Sequence, residues 1–193
     1  MIRPNHPFDL INHIAQELPP EAVLEFSTYE YEPQSILDQR NIFQYEASLI
    51  NEELLERLLS ILGPREELAI HSKITLNKKI FHIPMIDFCC KLDTLKESSS
   101  VLKNIIPKEI NTEISIFDSG NSLHGYGINK IRNKEWLEYM GRLLLLNLPS
   151  RLPVVDTRWI GHRLMAGYCS LRLSNNSKKY LKEPTFVDFL YKI

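Results

Sequence analysis

Several things are scarce in this 193-residue chain. It has 3 cysteines, at Cys89, Cys90 and Cys169. An odd number with no C-x-x-C pair argues against a disulfide framework and against a structural zinc site, and makes a reducing compartment the default. Long apolar runs are missing too. The longest is Leu143–Leu146, far too short for a membrane helix, so no membrane partner is expected. Met1-Ile2-Arg3-Pro4-Asn5 lacks the apolar core of a secretory signal, and the expected location is cytoplasmic. Repeats, linkers and low-complexity segments are absent, so residues 1–193 are expected to form one domain.

Net charge is close to zero as well, at -1, which by itself gives no sign of a nucleic-acid partner. Its distribution is uneven. Residues 17–67 hold twelve acidic side chains against three basic ones, Arg40, Arg57 and Arg65. Residues 157–182 hold six basic side chains (Arg158, Arg163, Arg172, Lys178, Lys179 and Lys182) and no acidic one. A one-signed segment of that length is either a footprint for a polyanion or a solvated surface balanced by the acidic half.

The apolar content of 44 % with 24 % charged residues is that of a globular protein. Its patterning mixes helices and strands. Helices are expected over 8–17, 48–62 (with Asn51 as cap and Gly63-Pro64 as stop), 94–106, 134–147 (with Trp136, Leu137, Met140, Leu143 and Leu144 on one face) and 157–166. Alternation predicts strands over 23–31, 67–76, 80–88, 113–117, 123–128 and 168–173. Residues 32–41 read as a polar loop, and 185–191 as a short helix or strand. The fold class that follows is α+β, in two layers, with helices packed on a mostly antiparallel sheet.

The stretch from Asp118 to Tyr126 joins two of those strands through Ser119, Gly120, Asn121 and Ser122. A turn of small residues is either an ordinary hairpin connection or a concavity of N–H donors that holds an anion. His124 alternates with Leu123, so the two leave the strand on opposite faces. Ile83–Phe88 is an apolar strand carrying an acid, Asp87. Asp is poor in strands and costly to bury unless paired or bound to metal. Val154-Val155-Asp156 repeats the pattern, although Asp156 is equally placed to cap the helix that follows. Arg172 shares a strand face with Ser170 and Ser174.

In their order along the chain, these motifs resemble the archaeo-eukaryotic primase superfamily. Asp87 is similar to the first acid of its Asp-x-Asp motif, Ser122-Leu123-His124 to its Ser-x-His, and Asp156 to its later acid. The chain thus looks like a small primase-like protein with a degenerate first motif, since Cys89 stands where the second acid would be. The resemblance spans about residues 67–180. It implies a primase catalytic-core fold with an RRM-like half, and nucleotidyl transfer from nucleoside triphosphates on a DNA or RNA template. Asp87 and Asp156 are the implied catalytic acids. They would also be metal ligands for Mg2+ or Mn2+, with Cys89 beside them and Zn2+ the lesser alternative. Ser119, Gly120, Asn121, Ser122, His124, Arg163 and Arg172 are the implied nucleotide contacts. The other reading is an inactive primase-fold module that binds nucleic acid or nucleotide, with protein partners in a replication, plasmid or defence assembly. A small phosphate-binding hydrolase is the remaining alternative.

Overall fold

The computed structural model describes residues 5–111 and 114–193. In chain order its elements are α1 (Pro7–Gln16), β1 (Val23–Glu30), β2 (Asn41–Glu46), α2 (Glu52–Ser60), β3 (Glu66–Leu76), β4 (Lys79–His82), β5 (Met85–Phe88), α3 (Leu92–Glu97), α4 (Ser99–Ile105), α5 (Lys108–Asn111), β6 (Ile114–Asp118), β7 (Leu123–Gly127), β8 (Ile131–Arg132), α6 (Asn133–Leu144), α7 (Thr157–Ala166), β9 (Ser170–Arg172) and β10 (Thr185–Phe189). The expected start of β6 at Glu113, and residues 1–4, lie outside the described residues. None of the described helices is long and apolar enough to cross a membrane.

The chain is an α+β protein with two sheets whose strand pairs are antiparallel. The first runs β2-β1-β3-β4-β8, with β9 also pairing with β3. β3 is long enough to share one edge between two partners, β9 at Ala69–His71 and β4 at Lys73–Leu76. The tight turn into β4 is made by Asn77 and Lys78, both with positive φ, as a two-residue hairpin requires. The second sheet runs β10-β6-β7-β5.

Residues 80–88, expected as one strand, are two strands in different sheets. Pro84 has no N–H to give to a ladder, and the chain changes sheet there. Ile83 N–H donates back to Ser72 O at 2.7 Å, while Pro84 O accepts from Gly127 N–H at 2.8 Å. A Cβ on Gly127 would lie 3.0 Å from the Pro84 ring, so this crossing needs glycine.

Three further expectations change. Asn41, expected to end the polar loop over 32–41, instead opens β2, an exposed strand over Asn41–Glu46 on the edge of the first sheet. The helix expected over 94–106 breaks at Ser98 into α3 and α4, within a serine run that favours local side-chain bonding over helix. Leu137 and Leu144, expected on the inner face of α6, are exposed, and Tyr139 is buried with Trp136, Met140 and Leu143.

β1 and β3 have two unlike faces. Leu24, Phe26, Leu68, Ile70 and Ile74 are wholly buried with Phe8 of α1 and Leu58 of α2, in one continuous apolar cluster. The opposite face carries Glu25, Ser27, His71 and Lys73. β9 adds Ser170 opposite His71 and Arg172 opposite Ala69, and residues paired across strands share a face.

Candidate functional site

Asp87 on β5 is paired directly with His124 on β7. His124 Nε2 stands 3.9 Å from Asp87 Oδ1. The segment before α7 runs alongside, with a bridge between Phe88 and Val155. There Cys89 N–H donates to Val154 O at 3.0 Å, and Asp156 N–H to Asp87 O at 3.0 Å. Asp156 caps α7, its Oδ1 accepting from Arg158 N–H at 2.8 Å and Trp159 N–H at 3.0 Å. Both cap bonds use the same oxygen, so capping does not consume the whole carboxylate.

Asn147 fixes this arrangement, and sequence reasoning missed it. Its Oδ1 accepts from Val154 N–H at 2.7 Å and Val155 N–H at 3.0 Å, and its Nδ2 donates to Val155 O at 2.9 Å. An Asn between an apolar helix and a proline gives no sign of that role.

The electrostatics follow from burial. Burial, and after it the charge of Asp156, pushes the Asp87 carboxyl up to about 8, against the opposing pull of Arg172 and Arg163. Although enclosed, the Asp87 side chain still shows 23 % of its surface to solvent. Burial, then the charge of Arg172, holds His124 down at about 3. It is therefore neutral near pH 7, and its Nδ1 is buried with no hydrogen-bond partner. Burial, then Asp156 and Asp87, raises the Cys89 thiol, which donates to Pro153 O at 3.4 Å.

The turn at 119–122 spends two of its backbone donors internally. Ser119 N–H donates to Ser122 O at 3.0 Å, and Gly120 N–H to Asp118 Oδ1 at 2.8 Å. Positive charge arrives from elsewhere. Lys91 Nζ donates to Gly120 O at 2.6 Å, and Lys182 Nζ stands 2.8 Å from Asp118 Oδ2. Asn121 is exposed and Ser122 half-buried.

Arg163 and Arg172 are both buried and both engaged with the protein. Arg172 donates to Ser119 O at 2.7 Å, and to Ser174 O and Lys182 O, with Tyr180 stacked at 3.8 Å. It stitches β9, the turn and the segment 174–182 together. Arg163 donates to Ser170 Oγ at 2.8 Å and pairs with Asp38, while its Nε has no partner.

Beside them lies a cluster that local sequence patterns do not reveal. His71 Nε2 is 2.8 Å from Ser27 Oγ, and its Nδ1 is 3.3 Å from Glu25 Oε2. Burial works against charge on Glu25, but hydrogen bonds from His71, Lys73 and Gln44 outweigh it and hold the carboxyl at about 2. The order Ser–His–Glu is that of a nucleophile relay. Ser27, however, is 0 % exposed, and the three brace the polar face.

These features define a class: an α+β protein of two antiparallel sheets, with an acid and a histidine on paired strands and a second acid docked on the first. The model of the archaeo-eukaryotic primase 1D-like family (AEP-like) matches residues 46–185, and the chain belongs to that family. No curated protein and no solved structure matches the chain.

Proposed function

We propose that the protein is a primase-polymerase-like nucleotidyltransferase that uses nucleoside triphosphates on a nucleic-acid template. The observation that carries this reading is the meeting of three separate parts of the chain: Asp87 and His124 on paired strands, and Asp156, at the start of α7, docked on the backbone of Asp87.

The donor set fits one hard divalent cation. Two neighbouring carboxyl groups, one resisting ionisation because of burial and the other's charge, are oxygen donors that a cation would relieve. Asp87 and Asp156 would hold it. Cys89, with its thiol raised and bonded to a carbonyl, offers such an ion little. An ion held there would supply Lewis-acid activation for the attacking hydroxyl and positive charge for the leaving phosphates. The chain's own groups do the positioning. Neutral His124 offers a hydrogen bond without charge. Lys91 and Lys182 attract phosphate towards the 118–122 turn, and Arg172 keeps that turn in place. Asn147 fixes Asp156 beside Asp87.

A second reading is a primase-fold module that binds nucleotide or nucleic acid without extending it. It is supported by Cys89 in place of the second acid, and by the absence, among the described residues, of three His, Cys, Asp or Glu grouped to hold a metal. Primer extension with Mg2+ and then Mn2+ separates the two readings. Extension that Asp87→Asn and Asp156→Asn each abolish supports the first. A wild-type protein that binds nucleotide but extends with neither ion supports the second.

A further inference from the structure

Asp38 sits where an anion would. Its carboxylate accepts from Arg40 Nε at 2.9 Å on each oxygen, and also pairs with Arg163 Nη2. The Asp38 side chain is 24 % exposed, while those of Arg40 and Arg163 beneath it are 8 % and 3 % exposed. The carboxylate therefore lies outermost, over two buried guanidinium groups. Arg40 Nη1 donates to Ser27 Oγ at 3.2 Å, Arg163 Nη1 to Ser170 Oγ at 2.8 Å, and Arg163 Nε is buried with no partner at all. Two positive charges on one negative charge leave the group one negative charge short of neutrality, which is costly away from water. A phosphate group carries more charge and more acceptor oxygens than a carboxylate, and suits paired arginines better.

Asp38 belongs to a segment built to let go. Residues 32–40 connect β1 to β2 and fold back onto α7. At the tip, Ile36 and Leu37 are largely exposed, so apolar burial does little to hold the segment down. Its described attachments to α7 are polar: Arg158 Nη2 to Gln34 O at 2.5 Å and Ser35 O at 2.6 Å, and Arg163 to Asp38. Gln34 turns the segment with a φ of 62°. The pocket is also near the acids, since the charge of Arg163 reaches Asp87.

The geometry points to an autoinhibited anion site: the Asp38 carboxylate occupies, in place of substrate, a pocket of Arg40 and Arg163 that takes the polyphosphate tail of a nucleotide when residues 32–38 lift, Arg40 staying behind on Ser27 and the Tyr29 ring of β1. The identification of the tail with a nucleotide rests on the nucleotidyltransferase reading above. The pocket and its plug do not.

The test measures binding of inorganic triphosphate by calorimetry, with a metal chelator present so that the Asp87–Asp156 pair contributes nothing. Removing the competing carboxylate with Asp38→Ala should tighten binding about tenfold, the equivalent of one modest ion pair. Asp38→Asn, which keeps the shape and removes the charge, should fall between wild type and Ala and guards against a misfolded Ala variant. Asp38→Ala combined with Arg40→Gln should lose the gain. Binding that is unchanged or weaker in both Asp38 variants overturns the proposal, because Asp38 is then a brace. A gain for a single-stranded oligonucleotide without terminal phosphates, and none for triphosphate, overturns the assignment to a polyphosphate tail. A protein that never extends a primer, but whose Asp38 variants bind triphosphate more tightly, refutes the enzymatic reading and supports the plugged pocket.

Discussion

Glu67 is the buried acid on which segment 174–182 hangs, and its removal has a calculable cost. The side chain is wholly buried on β3. Its carboxylate accepts from Asn176 N–H at 3.1 Å, Ser177 N–H at 2.9 Å, Ser177 Oγ at 2.5 Å and Ser174 Oγ. A hydrogen bond to a charged group is worth about 1.5–3 kcal/mol, and such bonds do not add when they share an acceptor. Glu67→Ala strands four donors, some of which water will reach, so the expected loss is about 3–5 kcal/mol, the scale seen when one member of a buried charged network is removed. For a chain of this size that is roughly a 10 °C fall in Tm. Glu67→Gln should cost about 2 kcal/mol, because its amide must turn an N–H towards one pair of donors. Urea unfolding followed by tryptophan fluorescence reads both. The consequence extends to the site, since Arg172 bonds Ser174 O, Lys182 O and Ser119 O together. Nucleotide affinity should therefore fall with stability. A loss below about 1 kcal/mol for Glu67→Ala would refute the argument, since it would mean these donors are as well satisfied by solvent.

Cys89→Asp places a third carboxylate by Asp87 and Asp156; it should lower Tm in chelator and raise it again on adding Mn2+, and a melt insensitive to metal would separate position 89 from the acids. Gly120→Ala should destabilise by about 1–3 kcal/mol, because φ is +105° and a Cβ would stand 3.2 Å from the backbone nitrogens of Leu181 and Lys182; an unchanged melting curve contradicts this. Acid should weaken the fold early. Burial holds His82 at about 4, between Ser72 Oγ and Asn133 Oδ1, each at 3.0 Å, whereas the unfolded chain takes up this proton near pH 6.5. The unfolded state thus binds more protons as pH falls from 6.5 towards 4, and about 3 kcal/mol present at neutral pH is lost across that window. His71 is shifted in the same direction by burial. Asp87, pushed up to about 8, works the other way over the same window, so the test compares urea midpoints of wild type and His82→Gln at pH 7.5, 5.5 and 4, and equal slopes in the two would show that His82 contributes none of the pH dependence.

What the sequence determined by itself lies where the signal is local. Asn51 and Asp156 are recognisable caps and do cap their helices. Alternation over 23–31 and 67–76 predicts two strands, found at Val23–Glu30 and Glu66–Leu76, that do pair. The apolar pattern of α6 was harder to read, because both of its sides are rich in leucine and only packing chose Tyr139 over Leu137 for the interior. Pro84 was visible, but its effect was not. A proline interrupts a ladder, and whether the chain then resumes in the same sheet or another depends on which strands await it.

The same division runs through the site. Alternation could put His71, Ser170 and Arg172 on defined faces of their strands. It could not say that His71 would meet Glu25 and Ser27 on β1, or that Arg163 would be neutralised by an aspartate in a segment that reads as an ordinary polar loop. Charge in the sequence suggested a free basic surface over 157–182, yet Arg163 and Arg172 are buried, because a guanidinium close to the core must find acceptors within the fold. Backbone periodicity acts over a few residues and is written in the order of the chain. The partner of a buried charge is chosen by which distant segments pack together, and that choice belongs to the tertiary structure alone.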